Sequence, residues 1–145
     1  MTSDLIDAHR ISQKLWVGSA PTAAHCAAFD VIVLCAVEYQ PSLPCQTIHA
    51  PFDDTAHPSS ADLRTALDAA KAVNVQRARG RRVLVSCIQG RNRSALVAAI
   101  ALMLAEGLSA QQAIATVRRQ RKLPTGELVL ANPAFVAFLK RATAS

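Results

Sequence analysis

Aromatic side chains are scarce in this sequence, with one Trp, one Tyr and four Phe among 145 residues. So few stacking platforms argue against a protein that binds nucleic acid by base stacking. Metal-binding cysteine spacing is missing too. The four cysteines stand at 26, 35, 45 and 87, form no CxxC pair, and join no histidine in a zinc-like set. No metal and no other cofactor is therefore expected. A chain of this length that is 51% apolar does not need disulfides, so Cys26 and Cys45 read as structural core residues. No run of about 18 apolar residues occurs, and the longest block, residues 95–105, has the length of a buried helix, so no membrane span is expected. Residues 1–9 carry Asp4 and Asp7 and lack a basic segment followed by an apolar one, which leaves the cytoplasm as the default location. Repeats, low-complexity tracts and linkers are also missing, and residues 1–145 read as one domain.

What is there is arginine, unevenly placed. The net charge is +6, yet residues 1–76 hold four Lys/Arg against eight Asp/Glu, and residues 77–122 hold ten against one. Twelve of the sixteen basic residues are Arg, whose planar fork suits phosphate or carboxylate. An anionic partner follows, or else a solvated basic face.

Short Val/Ile/Leu-rich segments at 14–17, 31–37, 46–50 and 82–86 read as strands. The continuous apolar runs at 31–34 and 83–85 predict strands covered on both faces. Helical patterns lie between and after them. Thr22 caps a short one, and Ser59 with Asp62 opens a longer one as a capping box. Residues 94–106 are apolar nearly all round and stop at Gly107, which predicts a central buried helix. Ser109 starts a helix expected to bury Ala113, Ile114 and Val117 and to expose Arg118, Arg119, Arg121 and Lys122. Asn132-Pro133 starts the last, with Phe135, Phe138 and Leu139 on one stripe. Trp16 is expected in the core. The alternation indicates a layered α/β domain.

The strongest signal is the segment from Val83 to Ser94. A buried strand ends at Cys87, a short loop containing Gly90 follows, and a long helix begins at Arg93 or Ser94. Loop N–H groups and a helix N-terminus then surround one point, an arrangement that binds an anion. The same field favours the thiolate of Cys87, a nucleophile able to attack a bound phosphoryl group. Arg93 could clamp phosphoryl oxygens, and Ser94 could hydrogen-bond the sulfur as it leaves. Ile88, Gln89, Gly90, Arg91, Asn92 and Arg93 would together hold the phosphate. A proton donor on another loop is needed. The residues alone leave Asp53, Asp54 and His57 all open for it.

The segment Cys87-Ile-Gln-Gly-Arg-Asn-Arg-Ser94 resembles the signature loop of the cysteine-dependent protein tyrosine phosphatases, and its Arg-Ser ending is that of the dual-specificity branch. Residues 11–19 are similar to that branch's opening strands, and residues 118–122 with 132–139 to its closing helices. The resemblance implies a mostly parallel sheet of four to five strands flanked by helices. It implies metal-free hydrolysis of phosphomonoesters through a cysteinyl-phosphate, on phosphorylated proteins or on RNA ends, lipids or glycans. It also places the acid at Asp54, 33 residues before Cys87, since Pro51-Phe-Asp-Asp54 resembles the acid loop of the lipid-phosphatase branch. From the same branch, Leu34-Cys-Ala36 implies Cys35 as a redox partner of Cys87. The chain departs from the pattern at Ser86, where the family usually has His. Arg91 matches the lipid-phosphatase branch and Asn92 the RNA 5′-phosphatase-like one, so protein, phosphoinositide and RNA phosphates all stay open, beside a weakly active phosphate-binding module.

Overall fold

The computed structural model describes residues 6–144, so Asp4 lies outside the described residues. Five strands, β1 (Ala8–Ser12), β2 (Leu15–Gly18), β3 (Val31–Ala36), β4 (Gln46–Phe52) and β5 (Val83–Ser86), form one sheet in the order β1-β2-β5-β3-β4. The β1–β2 hairpin is antiparallel and the other three pairings are parallel. The expected sheet is therefore present, with its parallel part at the centre. β1 was not marked by the apolar pattern. Its strand residues are mostly half-buried, with only Ile11 fully so, as suits an edge strand.

Period-two alternation along the central strands sorts side chains between the two faces. Val31, Val33 and Cys35 of β3, with Val83 and Val85 of β5, point to the larger core. Helices α1 (Ser60–Ala78), α2 (Arg93–Glu106), α3 (Ala110–Gln120) and α4 (Pro133–Ala144) pack over that side. Ile32, Leu34 and Leu84 point the other way into a small cluster with Phe29. Trp16 packs edge-on against Phe29, ring centroids 5.4 Å apart, and is half-buried. Both faces are covered, which is why the strands read as unbroken apolar runs.

The helices start and stop where local chemistry directs. Ser59 accepts from the Asp62 N–H and Ser109 from the Gln112 N–H, each as a capping box. Gly107 ends α2 at φ 68. Residues 93–102 of α2 are all buried, as a helix without a polar face requires. A 3-10 turn, Ala23–Ala27, follows Thr22.

Two expectations are corrected. Cys26 and Cys45 are joined in a disulfide, with Cα atoms 5.4 Å apart. They border the thin face, which no α-helix among the described residues covers, and there the bond holds the 3-10 turn against the lead into β4. Arg121 is not on a solvated face but 0% exposed. The chain leaves α3 at that residue in an extended conformation, which turns the side chain inward, while Arg119 on the helix and Lys122 beyond it stay exposed.

Candidate active site

Cys87 follows β5 at the sheet's centre, and α2 begins six residues later. The thiol is 5% exposed, and its Sγ lies 3.2 Å from Ser94 Oγ. Gly90 allows the loop between them to curl. Its φ is +66, and a Cβ there would come within 2.6 Å of the Gly18 backbone and 2.7 Å of Arg121 Nη2. No L side chain fits both that dihedral and that gap. The Ser86 hydroxyl donates to Val33 O at 2.9 Å within the sheet.

Arg93 stands beside this thiol. Its Nη1 and Nη2 donate to the two Glu38 oxygens at 2.7 and 2.9 Å, and Nη1 also reaches Phe52 O. That fixes the end of the fork and leaves its side edge, Nε–H with the second Nη2 hydrogen. The residue is 7% exposed, and Nε is the buried side-chain atom left without a partner among the described residues. Pairing with Arg93 pulls the Glu38 carboxyl down to about 2. Glu38 in turn raises the Arg93 guanidinium, with Cys87 and Asp54 adding smaller upward pulls.

Asp54 arrives on the loop after β4. Asn92 Nδ2 donates to one of its oxygens at 2.9 Å and Asn132 Nδ2 to the other at 2.8 Å. The Asn92 carbonyl oxygen accepts from the Ala131 and Asn132 backbone N–H groups. Three separate loops are thereby tied at one carboxylate. A cleft of about 230 Å³ opens over the assembly, lined by Glu38, Asp54, Cys87, Ile88, Gln89, Arg91, Asn92 and Arg93. Asp53 and His57 do not line it. Arg91 donates to Leu128 O and pairs with Glu127 at 3.2 Å, so its charge is partly matched.

Cys35 is unpaired and fully buried on β3. Burial pushes its thiol well up, and the charge of nearby Cys87 adds to that. Among the described residues no group of His, Cys, Asp or Glu could hold a metal ion, and no helix is long and apolar enough to cross a membrane.

The sequence profile of the dual specificity phosphatase catalytic domain matches residues 15–140. The chain belongs to that family. Dual-specificity phosphatases are phosphoric monoester hydrolases, so the substrates here are phosphorylated. Solved structures agree on the fold. Human DUSP28 is 23% identical, covers 95% of each chain and gives a TM-score of 0.77. Tk-PTP in its active form is 24% identical over 93% of this chain and 97% of its own, with a TM-score of 0.74. The Orf virus tyrosine phosphatase OH1 is 20% identical over 94% and 86%, with a TM-score of 0.72. No curated protein sequence matches the chain.

The structure thus brings Cys87, Arg93 and Asp54 to one cleft, with Ser94 buried behind the thiol. Glu38 lines the same cleft, Asn132 holds Asp54, and Arg121, paired with Asp7, meets the Gln89 and Gly90 carbonyls; no local motif assigns them those contacts. Only their tertiary partners reveal what they do.

Proposed function

We propose that Cys87 is the nucleophile of this phosphatase, Arg93 its phosphate clamp and Asp54 its general acid, with residues 1–145 acting as one catalytic domain. The open side edge of buried Arg93 beside Cys87 carries this reading. A buried donor without an acceptor is costly, and a phosphoryl oxygen would supply the acceptor. The loop N–H groups from Ile88 to Arg93 and the α2 N-terminus would hold the remaining oxygens.

The thiolate sulfur forms a bond to phosphorus as the ester oxygen leaves, taking a proton from the Asp54 carboxylic acid. Water then attacks the cysteinyl-phosphate and gives a proton to the Asp54 carboxylate. The S–P bond breaks, and the Ser94 hydroxyl steadies the departing thiolate across the 3.2 Å contact. Asn92 and Asn132 hold Asp54 toward the cleft. A phosphorylated protein is the proposed substrate.

Two subsidiary proposals follow. Peroxide would convert the Cys87 thiolate to a sulfenic acid, and the Cys35 thiol would condense with it, releasing water and forming a disulfide. Mass mapping under non-reducing conditions tests this; a sulfinic or sulfonic Cys87 with no link to Cys35 rejects it. A cytoplasmic setting would keep Cys87 reduced, whereas the Cys26–Cys45 bond is of a kind more common in oxidising compartments. The thiol count of freshly isolated protein separates the two.

Hydrolysis of para-nitrophenyl phosphate by wild type and Cys87→Ser tests the main reading. Wild type is expected to turn over and Cys87→Ser to lose activity. Equal rates for both would remove the covalent mechanism.

A further inference from the structure

An anion cradle works only if its N–H groups face inward, and its carbonyls must then be held outward. Two of those carbonyls meet Arg121. Its Nη2 donates to Gln89 O at 2.7 Å and its Nε to Gly90 O at 3.1 Å. The other part of the guanidinium meets Asp7, with Nη1 to Oδ1 at 2.7 Å and Nη2 to Oδ2 at 3.0 Å. Nη1 also lies 3.1 Å from His9 Nδ1. Arginine has no acceptor, so that nitrogen accepts and the ring proton sits on Nε2.

This cluster is buried and tight. Arg121 is the largest fully buried side chain. An uncompensated guanidinium in such a place is strongly unfavourable. The Asp7 carboxylate compensates it and is itself held below its usual range, first by the hydrogen bond from Arg121. The backbone just beyond Asp7 is anchored independently, because Ser19 N–H donates to Asp7 O. Gly18 and Gly90 meet in the same spot with no room for a Cβ.

We propose that Arg121 is a positioning residue for phosphate capture, fixing the outward Gln89 and Gly90 carbonyls and so the inward N–H groups, with Asp7 as its counter-charge. The proposal rests on the Cys87 loop being the phosphate site. Neither side chain touches the reacting atoms. A residue ahead of the first strand would thus set the geometry of a loop some eighty positions away in sequence.

The test uses the full chain with Arg121→Lys and Asp7→Asn. The readouts are KM and kcat on para-nitrophenyl phosphate, the inhibition constant of orthovanadate, and the melting temperature. Arg121→Lys keeps the charge but cannot fork to both carbonyls. It is expected to raise KM and the vanadate constant about tenfold or more, the size of one lost charge-assisted hydrogen bond. Asp7→Asn keeps shape and should shift both constants the same way by a smaller factor. Variants that melt lower yet bind vanadate with wild-type affinity would make the cluster merely structural and overturn the proposal. So would tighter vanadate binding by Asp7→Asn, because Arg121 would then act through its charge. If Arg121→Lys fails to fold, Asp7→Asn decides alone. Wild type that neither hydrolyses the ester nor binds vanadate would remove the phosphate site itself, and this proposal with it.

Discussion

Breaking the Cys26–Cys45 disulfide should cost stability and leave catalysis intact. The bond spans 19 positions of sequence and encloses β3. In the chain-entropy treatment, closing a loop of that length removes about 11 cal/mol/K from the unfolded ensemble, or about 3 kcal/mol at 25 °C. For a chain near 150 residues that corresponds to a fall of roughly 10 °C in Tm. The effect should not be diluted by rearrangement with the other thiols. Cys35 and Cys87 belong to the helix-covered core, whereas Cys26 and Cys45 lie on the opposite side of the sheet. The assay is thermal unfolding of the oxidised protein and of the Cys26→Ala/Cys45→Ala double variant, both with Cys87 kept reduced. Thiol titration in denaturant should count two thiols in the oxidised chain rather than four. Glu38 should stay in place, since Gln40 next to it donates to Leu34 O and Ala36 O and Tyr39 to Pro21 O; kcat should therefore hold. A double variant melting within a degree or two of the oxidised protein would refute the entropic argument.

Four further outcomes are expected. Gly90→Ala should destabilise by at least about 1–2 kcal/mol, the cost of a left-handed Cβ residue, and abolish vanadate binding; unchanged vanadate affinity would mean that the loop tolerates a Cβ. Glu38→Gln should weaken the hold on Arg93 and lower kcat/KM severalfold while Cys87 stays fully alkylatable; undiminished kcat/KM counts against the pairing. Asp54→Asn should cut turnover of alkyl phosphates far more than of para-nitrophenyl phosphate, and an equal fall on both would dismiss it as the acid. Glu38 and Asp30 are both drawn down to about 2 by arginine partners. Depressed carboxyls stabilise the fold fully above their unfolded values near 4, and that support fades as pH falls toward 2. Melting temperature should thus decline between about pH 4.5 and 2, and Glu38→Gln should flatten part of that decline.

Much of the fold was legible because its signals are local. Capping boxes at Ser59 and Ser109, the stop at Gly107 and the unbroken strand runs each lie within a few residues of the feature they specify. The nucleophile loop was legible for the same reason: Cys87, Gly90, Arg93 and Ser94 form one contiguous segment. Asp54 could be singled out from Asp53 only through family likeness, because what distinguishes it is a pair of amides from Asn92 and Asn132, 38 and 78 positions away. Arg121 was misread for a related reason. Its helix pattern speaks for solvent, and only Asp7, 114 positions distant, makes burial tolerable. The Cys26–Cys45 bond escaped because composition says whether a chain needs a disulfide, not whether two thiols are brought together.

Three arginines around the cleft have carboxylate partners within the molecule: Arg93 pairs with Glu38, Arg121 with Asp7 and Arg91 with Glu127. A basic segment that looks like an electrostatic funnel in sequence is, at the mouth, close to neutral. Encounter with a phosphorylated partner then depends on ordinary diffusion and on fit at short range rather than on long-range attraction. The enzyme should therefore work at nearly the same second-order rate in dilute buffer and at physiological ionic strength.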